Sequence, residues 1–283
     1  LYLVNTISNQ VEVYATNVNP PRLTTSIKTD TTPLSVALSR ETPNPRYLYV
    51  TCYDASTLDI IDLNSPGLTL VPKQLDAKPQ GVAVGFNGKV LISTIGTGTG
   101  QEVLITYDPI TGKTQPVVVG VPAPVPPTIP PPNNSNNWYL PSRSRLQASQ
   151  DGKLIIGVNL QTATRTVFVF DAASSTVLGS RVVPTLSSTL AVSPDGSKFL
   201  SGPMLFETQT LAVLAQQNVV NSPYVFPVTA NFNVQTSQGG AVFTPDGASL
   251  IAAYNIVPTA VPALTSNTSQ LTVNTPDTML IQL

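Results

Sequence analysis

One short phrase recurs along this chain: an apolar run, a turn that ends in glycine, then a second apolar run. It is written as "GFNGKVLIS" at 85–93, "ASQDGKLIIG" at 148–157, "VSPDGSKFLSG" at 192–202 and "FTPDGASLIA" at 243–252. An earlier cousin, "RETPNPRYLYV" at 40–50, lacks the glycine. Gly88, Gly152, Gly196 and Gly247 stand 64, 44 and 51 residues apart. A hairpin turn favours glycine because it demands a positive φ. A base period near 44 residues, lengthened by insertions, is the size of a four-stranded propeller blade.

Each unit repeats one order of strands. Candidate innermost strands are "PLSVALS", "QGVAVGF", "SRLQAS", "STLAVS" and "GGAVFT". After the turn come second strands such as "YLYVTC", "VLISTI" and "LIIGVN". Third strands often close on aspartate, at Asp62, Asp108 and Asp171, where an Asx turn is expected. Fourth strands such as "LTLVPKQL" and "TQPVVVG" complete the unit. The first unit opens on "LYLVNT", a second-strand pattern, and the last stops after "DTMLIQL", a third-strand pattern. The expected fold is therefore all-β: a β-propeller of four-stranded antiparallel blades, six or seven in number, its first and last units incomplete. It is expected to form a single domain over 1–283, with insertions at 121–141 and 255–277. Both ends read as cut from something longer.

The stretches "KPQGVAVGFNG" (78–88), "YLYVTCYDASTLDIIDL" (47–63) and "LAVSPDG" (190–196) resemble the repeat of the YVTN family of β-propellers, of the surface-layer type. That repeat reads P-x-G-V-A-V-S-P-D-G, then Y-V-T-N, then V-S-V-I-D. The resemblance spans most of the chain and fits poorly at 205–238 and 256–277. It implies surface-layer or secreted binding proteins, with lactonases and nucleic-acid binders among the relatives. Such roles sit in sites grafted on the fold and do not come with it.

Composition narrows the function classes. Charged residues make up 10% of the chain and the net charge is -1. With no basic run there is no electrostatic footprint for nucleic acid or an anionic membrane. No apolar run reaches the length of a membrane span. A surface of Thr, Ser, Asn and Gln fits an extracellular or cell-surface protein, and an exported chain starting at "LYLVNT" would already have lost its signal. The single cysteine, Cys52, rules out an intrachain disulfide and reads as a buried, inert thiol. There is no histidine, which removes Ser-His-Asp triads, Cys-His pairs and histidine metal sites.

The remaining motifs are weak. "GTGTG" (96–100) has the wrong spacing for a dinucleotide fingerprint and reads as a loop. "TGKT" (111–114) imitates the end of a phosphate-binding loop, but the required earlier glycine is Tyr107, so a hairpin turn is expected. Asp54, Asp59 and Asp62 could supply oxygens to Ca²⁺, without the EF-hand spacing. Glu12, Glu102 and Glu207 are isolated. The proline-rich insertion at 121–141 holds Trp138 beside Tyr139, either packed on the propeller face or acting as partner anchors. Arg143 and Arg145 precede or open an inner strand, where they could grip an anionic ligand or pair with surface carboxylates.

The leading expectation is a non-enzymatic structural or adhesive surface protein without cofactor or metal. It would self-associate, or bind other surface proteins, through its insertions and terminal strands, into a filament or surface layer. Leu1, Tyr2, Leu3, Leu280, Ile281 and Leu283 are its candidate intersubunit residues. The alternative is a ligand-binding or lactonase-like hydrolytic propeller whose site is the mouth of the central channel, with a glycan or small molecule as ligand.

Overall fold

The computed structural model of the protein describes residues 1–96, 103–117, 143–159, 165–183, 186–187, 189–216, 238–256 and 277–282. They fall into two compact units, Leu1–Pro184 and Thr185–Leu283. Every regular element among them is a β-strand.

In the first unit, β1 (Tyr2–Asn5), β2 (Gln10–Ala15) and β3 (Arg22–Lys28) form a three-stranded antiparallel sheet. A four-stranded sheet follows: β4 (Pro33–Leu38), β5 (Tyr47–Cys52), β6 (Thr57–Asp62) and β7 (Leu70–Gln74). The third comprises β8 (Pro79–Val84), β9 (Val90–Thr94), β10 (Leu104–Asp108) and β11 (Lys113–Pro116). The fourth comprises β12 (Arg145–Ala148), β13 (Leu154–Asn159), β14 (Thr166–Asp171) and β15 (Thr176–Val182). In the second unit, β16 (Leu190–Val192), β17 (Lys198–Ser201), β18 (Met204–Glu207) and β19 (Val213–Gln216) make a four-stranded sheet. Its other sheet has three strands, β20 (Gln238–Phe243), β21 (Leu250–Ile256) and β22 (Asp277–Gln282). The expected four-stranded antiparallel blades, with shorter first and last sheets, are what the described residues form.

The recurring turns explain themselves through two side chains. In "SPDG", Ser193 Oγ donates to Asp195 Oδ1 at 2.6 Å and accepts the N–H of Lys198 at 2.9 Å. Asp195 Oδ1 in turn accepts the N–H of Ser197 at 3.0 Å. These bonds hold the Asp195 carboxyl down at about 2. Gly196 has φ 72° and donates its N–H to Ser193 O at 2.9 Å. Ser149–Gly152 and Thr244–Gly247 repeat the arrangement. Asp195 itself keeps a negative φ, so the turn is a four-residue loop in which glycine alone takes the left-handed conformation, not a two-residue Asp-Gly turn. The expected Asx turns also form: Asp62, Asp108 and Asp171 accept the N–H groups of Asn64, Ile110 and Ser174 at 2.9 Å each. "TGKT" lies in the β10–β11 hairpin, with Gly112 at φ 67°.

Burial follows position in the sheet. β5, β9 and β13 are buried on both faces, whereas β3 and β7 are largely exposed. The two-residue period of a strand sends alternate side chains to neighbouring sheets. Leu48 and Val50 join Val11 and Ile27 of the first sheet, while Tyr49 turns the other way to Val82 and Ile92 of the third. Ala83 and Leu91 then meet Leu146, Ile155 and Phe168 of the fourth. Each fully buried Leu, Ile or Phe among these contributes roughly 1.5–3 kcal/mol by leaving water.

Two polar devices sit within this stack. Arg40, at the end of β4, donates from Nε to Val84 O at 2.7 Å, from Nη1 to Gln150 O at 2.7 Å and from Nη2 to Ser149 O at 2.9 Å. One guanidinium thus ties the second sheet to the third and to the turn of the fourth. The other device is Asp59, fully buried at 0% exposure. Its Oδ2 accepts the N–H of Asp30 at 2.8 Å and the thiol of Cys52 at 3.4 Å. Thr57 Oγ1 lies 3.0 Å from both Asp59 Oδ1 and Asp30 Oδ2. A hydroxyl carries one proton, so it donates to one carboxyl only; a proton on Asp59 satisfies the other contact. Burial, with the Asp30 charge beside it, pushes the Asp59 carboxyl above its ordinary value. Burial likewise raises Cys52, which is the inert buried thiol expected.

Two outcomes follow. Arg40→Ala removes a donor from Val84 O and Gln150 O, and leaves Ser149 O with the Gly152 N–H alone; it should lower stability by about 2 kcal/mol in urea denaturation, and Arg40→Lys should rescue little, because an ammonium lacks the planar fork. Asp59 holds its proton to higher pH in the folded chain than in the unfolded one. Its contribution to stability is therefore complete below the ordinary Asp value of about 4 and declines as pH rises through the raised value. Asp59→Asn, which keeps a donor towards Thr57, should gain on the native chain steadily when urea midpoints are compared from pH 4 to pH 8.

Candidate ligand site

The innermost strands of the first unit, β4, β8 and β12, converge with β1 on a cleft of about 790 Å³. That is within the range of small-molecule sites, about 300–1,000 Å³. Its base is set by a close approach. A Cβ on Gly81 would lie 2.2 Å from Ser144 O, so β8 can meet the segment before β12 only as glycine. Ser93, fully buried in β9, accepts the N–H of Gly81 at 2.9 Å and donates to Ser144 O at 2.6 Å. Thr51 of β5 makes the matching link one sheet earlier, donating to Gln80 O at 2.7 Å.

These links place Arg143 and Arg145. Ser144 is buried and both arginines are exposed on the cleft. Arg143 donates its backbone N–H to Thr94 O at 2.9 Å and has φ 56°. A bulky residue in the left-handed region costs about 1 kcal/mol or more, and such strain gathers at functional sites. Leu3, Leu34 and Leu146 supply an apolar wall, while Tyr2, Gln80 and Gln147 supply polar contacts. No carboxylate lines the cleft among the described residues. A smaller cleft of about 360 Å³ lies at the other end of the same strands, beside Arg40.

The other candidates are dispersed. Asp54 bonds Thr32 at 2.6 Å and pairs with Lys78 at 2.9 Å. Asp59 is in the core, and Asp62 serves its turn and pairs with Arg46 at 3.3 Å, so the three do not form a Ca²⁺ site. Among the described residues no three His, Cys, Asp or Glu side chains gather for a metal. Glu12 accepts bonds from Asn5 and Tyr14, chiefly the former, which hold its carboxyl below the ordinary value. Leu1 closes the β1–β2 pairing against Tyr14. Leu280 and Ile281 lie in β22 opposite Ala253 and Ala252. Trp138, Tyr139 and Leu283 lie outside the described residues. Sequence reading missed Arg40, Gln80 and Gln147. The two glutamines interrupt apolar inner strands, and Arg40 stands directly after one; those interruptions were the available signal.

No family model matches the chain, and no curated protein matches it by sequence, so the resemblance to the YVTN repeat rests on its turns and strands alone. Solved structures do share its fold. The hydrazine synthase of Kuenenia stuttgartiensis aligns with a TM-score of 0.60 at 15% identity, over 90% of this chain and 70% of that one. The virginiamycin B lyase of Staphylococcus aureus aligns with a TM-score of 0.56 at 10% identity, over 89% of this chain and 72% of that one. A protein of unknown function from Desulfotomaculum acetoxidans gives 0.56 at 14% identity, over 90% and 75%. These likenesses establish a propeller-type all-β fold. They also correct an expectation. The chain was expected not to be an enzyme, because it lacks histidine and any catalytic set; a lyase and a synthase built on the same fold over nine-tenths of its length overturn that reading. None of the three is named for adhesion or a filament.

The strain at Arg143 is testable by comparing two substitutions that both remove its side chain. Arg143→Gly should melt higher than Arg143→Ala, because glycine accepts φ 56° without cost and alanine keeps the strain.

Proposed function

We propose that the protein binds a small anionic or carbonyl-bearing molecule in the inner-strand cleft and acts on it by polarising an oxygen against Arg143 and Arg145. The reaction class is that of a lyase or a lactone hydrolase. The observation that carries this reading is that Arg143 and Arg145, on either side of a serine drawn in against Ser93, are both exposed on a cleft of small-molecule size. A guanidinium is always charged and presents five N–H donors in a fixed fork. Two of them can hold a carboxylate in the ground state or an oxyanion as charge develops.

The fold comparison supports the lyase reading and separates the chemistry. A variant of the virginiamycin B lyase with a histidine replaced by alanine is catalytically inactive. This chain has no histidine, so proton transfer falls to a different group. Among the described residues of the cleft, Tyr2 is the titratable side chain besides the arginines. Tyrosine serves as an acid or base where its phenol faces the reacting atom.

The test is a panel of small carboxylates and five- and six-membered lactones, with binding read by calorimetry and turnover by proton release. The native chain should bind at least one member, and Arg143→Ala with Arg145→Ala should weaken that binding by at least about tenfold, the effect of losing ~1.4 kcal/mol. Tyr2→Phe should lower turnover without changing affinity. Native affinity in the double variant, or no binding by any member, overturns the reading.

A further inference from the structure

The edge of β1 that pairs with no other strand among the described residues lies on the same cleft. Sheet register identifies what kind of strand β1 is. In the second sheet Leu75 donates its N–H to Ser56 O, and in the fourth Val183 donates to Arg165 O. In the first sheet Thr29 donates to Asn9 O in the same way. Asn9 and Ser56 also share the left-handed conformation, at φ 54° and 56°. In both hairpins four residues separate the last pairs, Asn5 with Gln10 and Cys52 with Thr57. β1 is therefore the counterpart of β5 and β13, the strands that elsewhere have β4 and β12 on their inner side. Among the described residues β1 pairs with β2 alone.

Hydrogen-bond parity says which groups face that edge. Leu1 and Tyr14 exchange both bonds, at 2.9 and 2.8 Å, and opposite residues in an antiparallel pair alternate between bonded and non-bonded. Leu3 and Asn5 then also bond to β2, and the N–H and C=O of Tyr2 and Val4 point outward. Both residues line the cleft that holds Arg143 and Arg145. Donors and acceptors two residues apart along a strand match alternate residues of an extended chain.

We propose that the ligand of this cleft is an extended peptide that adds to β1 as an innermost strand, antiparallel to it as β4 and β12 are to β5 and β13, with an acidic side chain near the peptide's amino-terminal end on Arg143 and Arg145. The inference rests on the anionic-ligand reading above and names its ligand class. Main-chain bonds to Tyr2 and Val4 give affinity, and the charge at the arginines fixes register and direction. The chain's own inner strands, with Val82, Ala83 and Val84 buried at this position of the third sheet, set the preference for small and β-branched side chains.

The probe is an amino-acetylated seven-residue peptide of alternating valine and serine with aspartate at its amino-terminal position, the end that an innermost strand running as β4 and β12 do would bring to the arginines, and with an amidated carboxyl end, added to the full chain. Binding is read by fluorescence anisotropy, and the Tyr2 and Val4 amides by hydrogen exchange. The aspartate peptide should bind and slow both amides by at least tenfold. Replacing its aspartate with asparagine, or Arg145→Ala, should weaken binding at least tenfold. Methylating its alternate backbone nitrogens should do the same. Val4→Pro removes an outward N–H while sparing the bonds to β2, so it should abolish peptide binding with the melting temperature held; Leu3→Pro, which breaks the ladder, is the control that should not hold it. If succinate binds but the peptide does not, or methylation has no effect, the peptide proposal fails and the anionic site stands. If neither binds, the anionic reading fails as well. Tyr2 and Val4 amides already protected in the full chain without peptide overturn the proposal, because that edge is then filled by the chain itself or by a second copy.

Discussion

The contact at which β8 passes the segment before β12 is the constraint on which the cleft depends. At Gly81 the backbones come so close that a single methyl group would sit 2.2 Å from Ser144 O. The gap is bridged by one buried hydroxyl, Ser93, which accepts a hydrogen bond from the Gly81 N–H and donates one to Ser144 O. A hydroxyl suits this place because it both donates and accepts, leaving no buried amide or carbonyl unsatisfied. With Ser144 drawn in, its neighbours Arg143 and Arg145 stand outward on the cleft.

The low charge of the chain gives that arrangement its weight. With 10% charged residues and a net charge of -1, the protein has no broad field to attract an anion from a distance. Recognition must come from local groups. Arg143 and Arg145 bring their charge to a cleft walled by Leu3, Leu34 and Leu146, where a carboxylate and an apolar body can be held together. Enzymes share this fold, and the chemistry proposed here uses arginine and tyrosine where imidazole is absent.

Much of the fold was legible because its signals are local. The Ser-x-Asp-Gly turns satisfy their own backbone within six residues, and the aspartates closing the third strands do so within three. The continuous apolar runs of β5 and β9 could be read directly as strands, and the order of strands in the first and last sheets followed from matching them to complete ones. The role of Arg40 was not legible, since its three acceptors lie 44, 109 and 110 residues away. Asp59 entered the sequence reading only as one of three aspartates that could offer oxygens to Ca²⁺; burial between two sheets makes it a core acid instead.

By itself, then, the sequence determined the repeat, its turns, the strand type at each position and the absence of imidazole chemistry, all of which depend on residues near one another in the chain. Tertiary structure alone decided which side chains share the cleft. Tyr2, Gln80 and Arg145 come from three different sheets, and only the packing of those sheets through Gly81, Ser93 and Arg40 places them together. The physical reason is that backbone satisfaction and strand periodicity act over a few residues, whereas a site is built from contacts whose sequence separation exceeds the length of a blade.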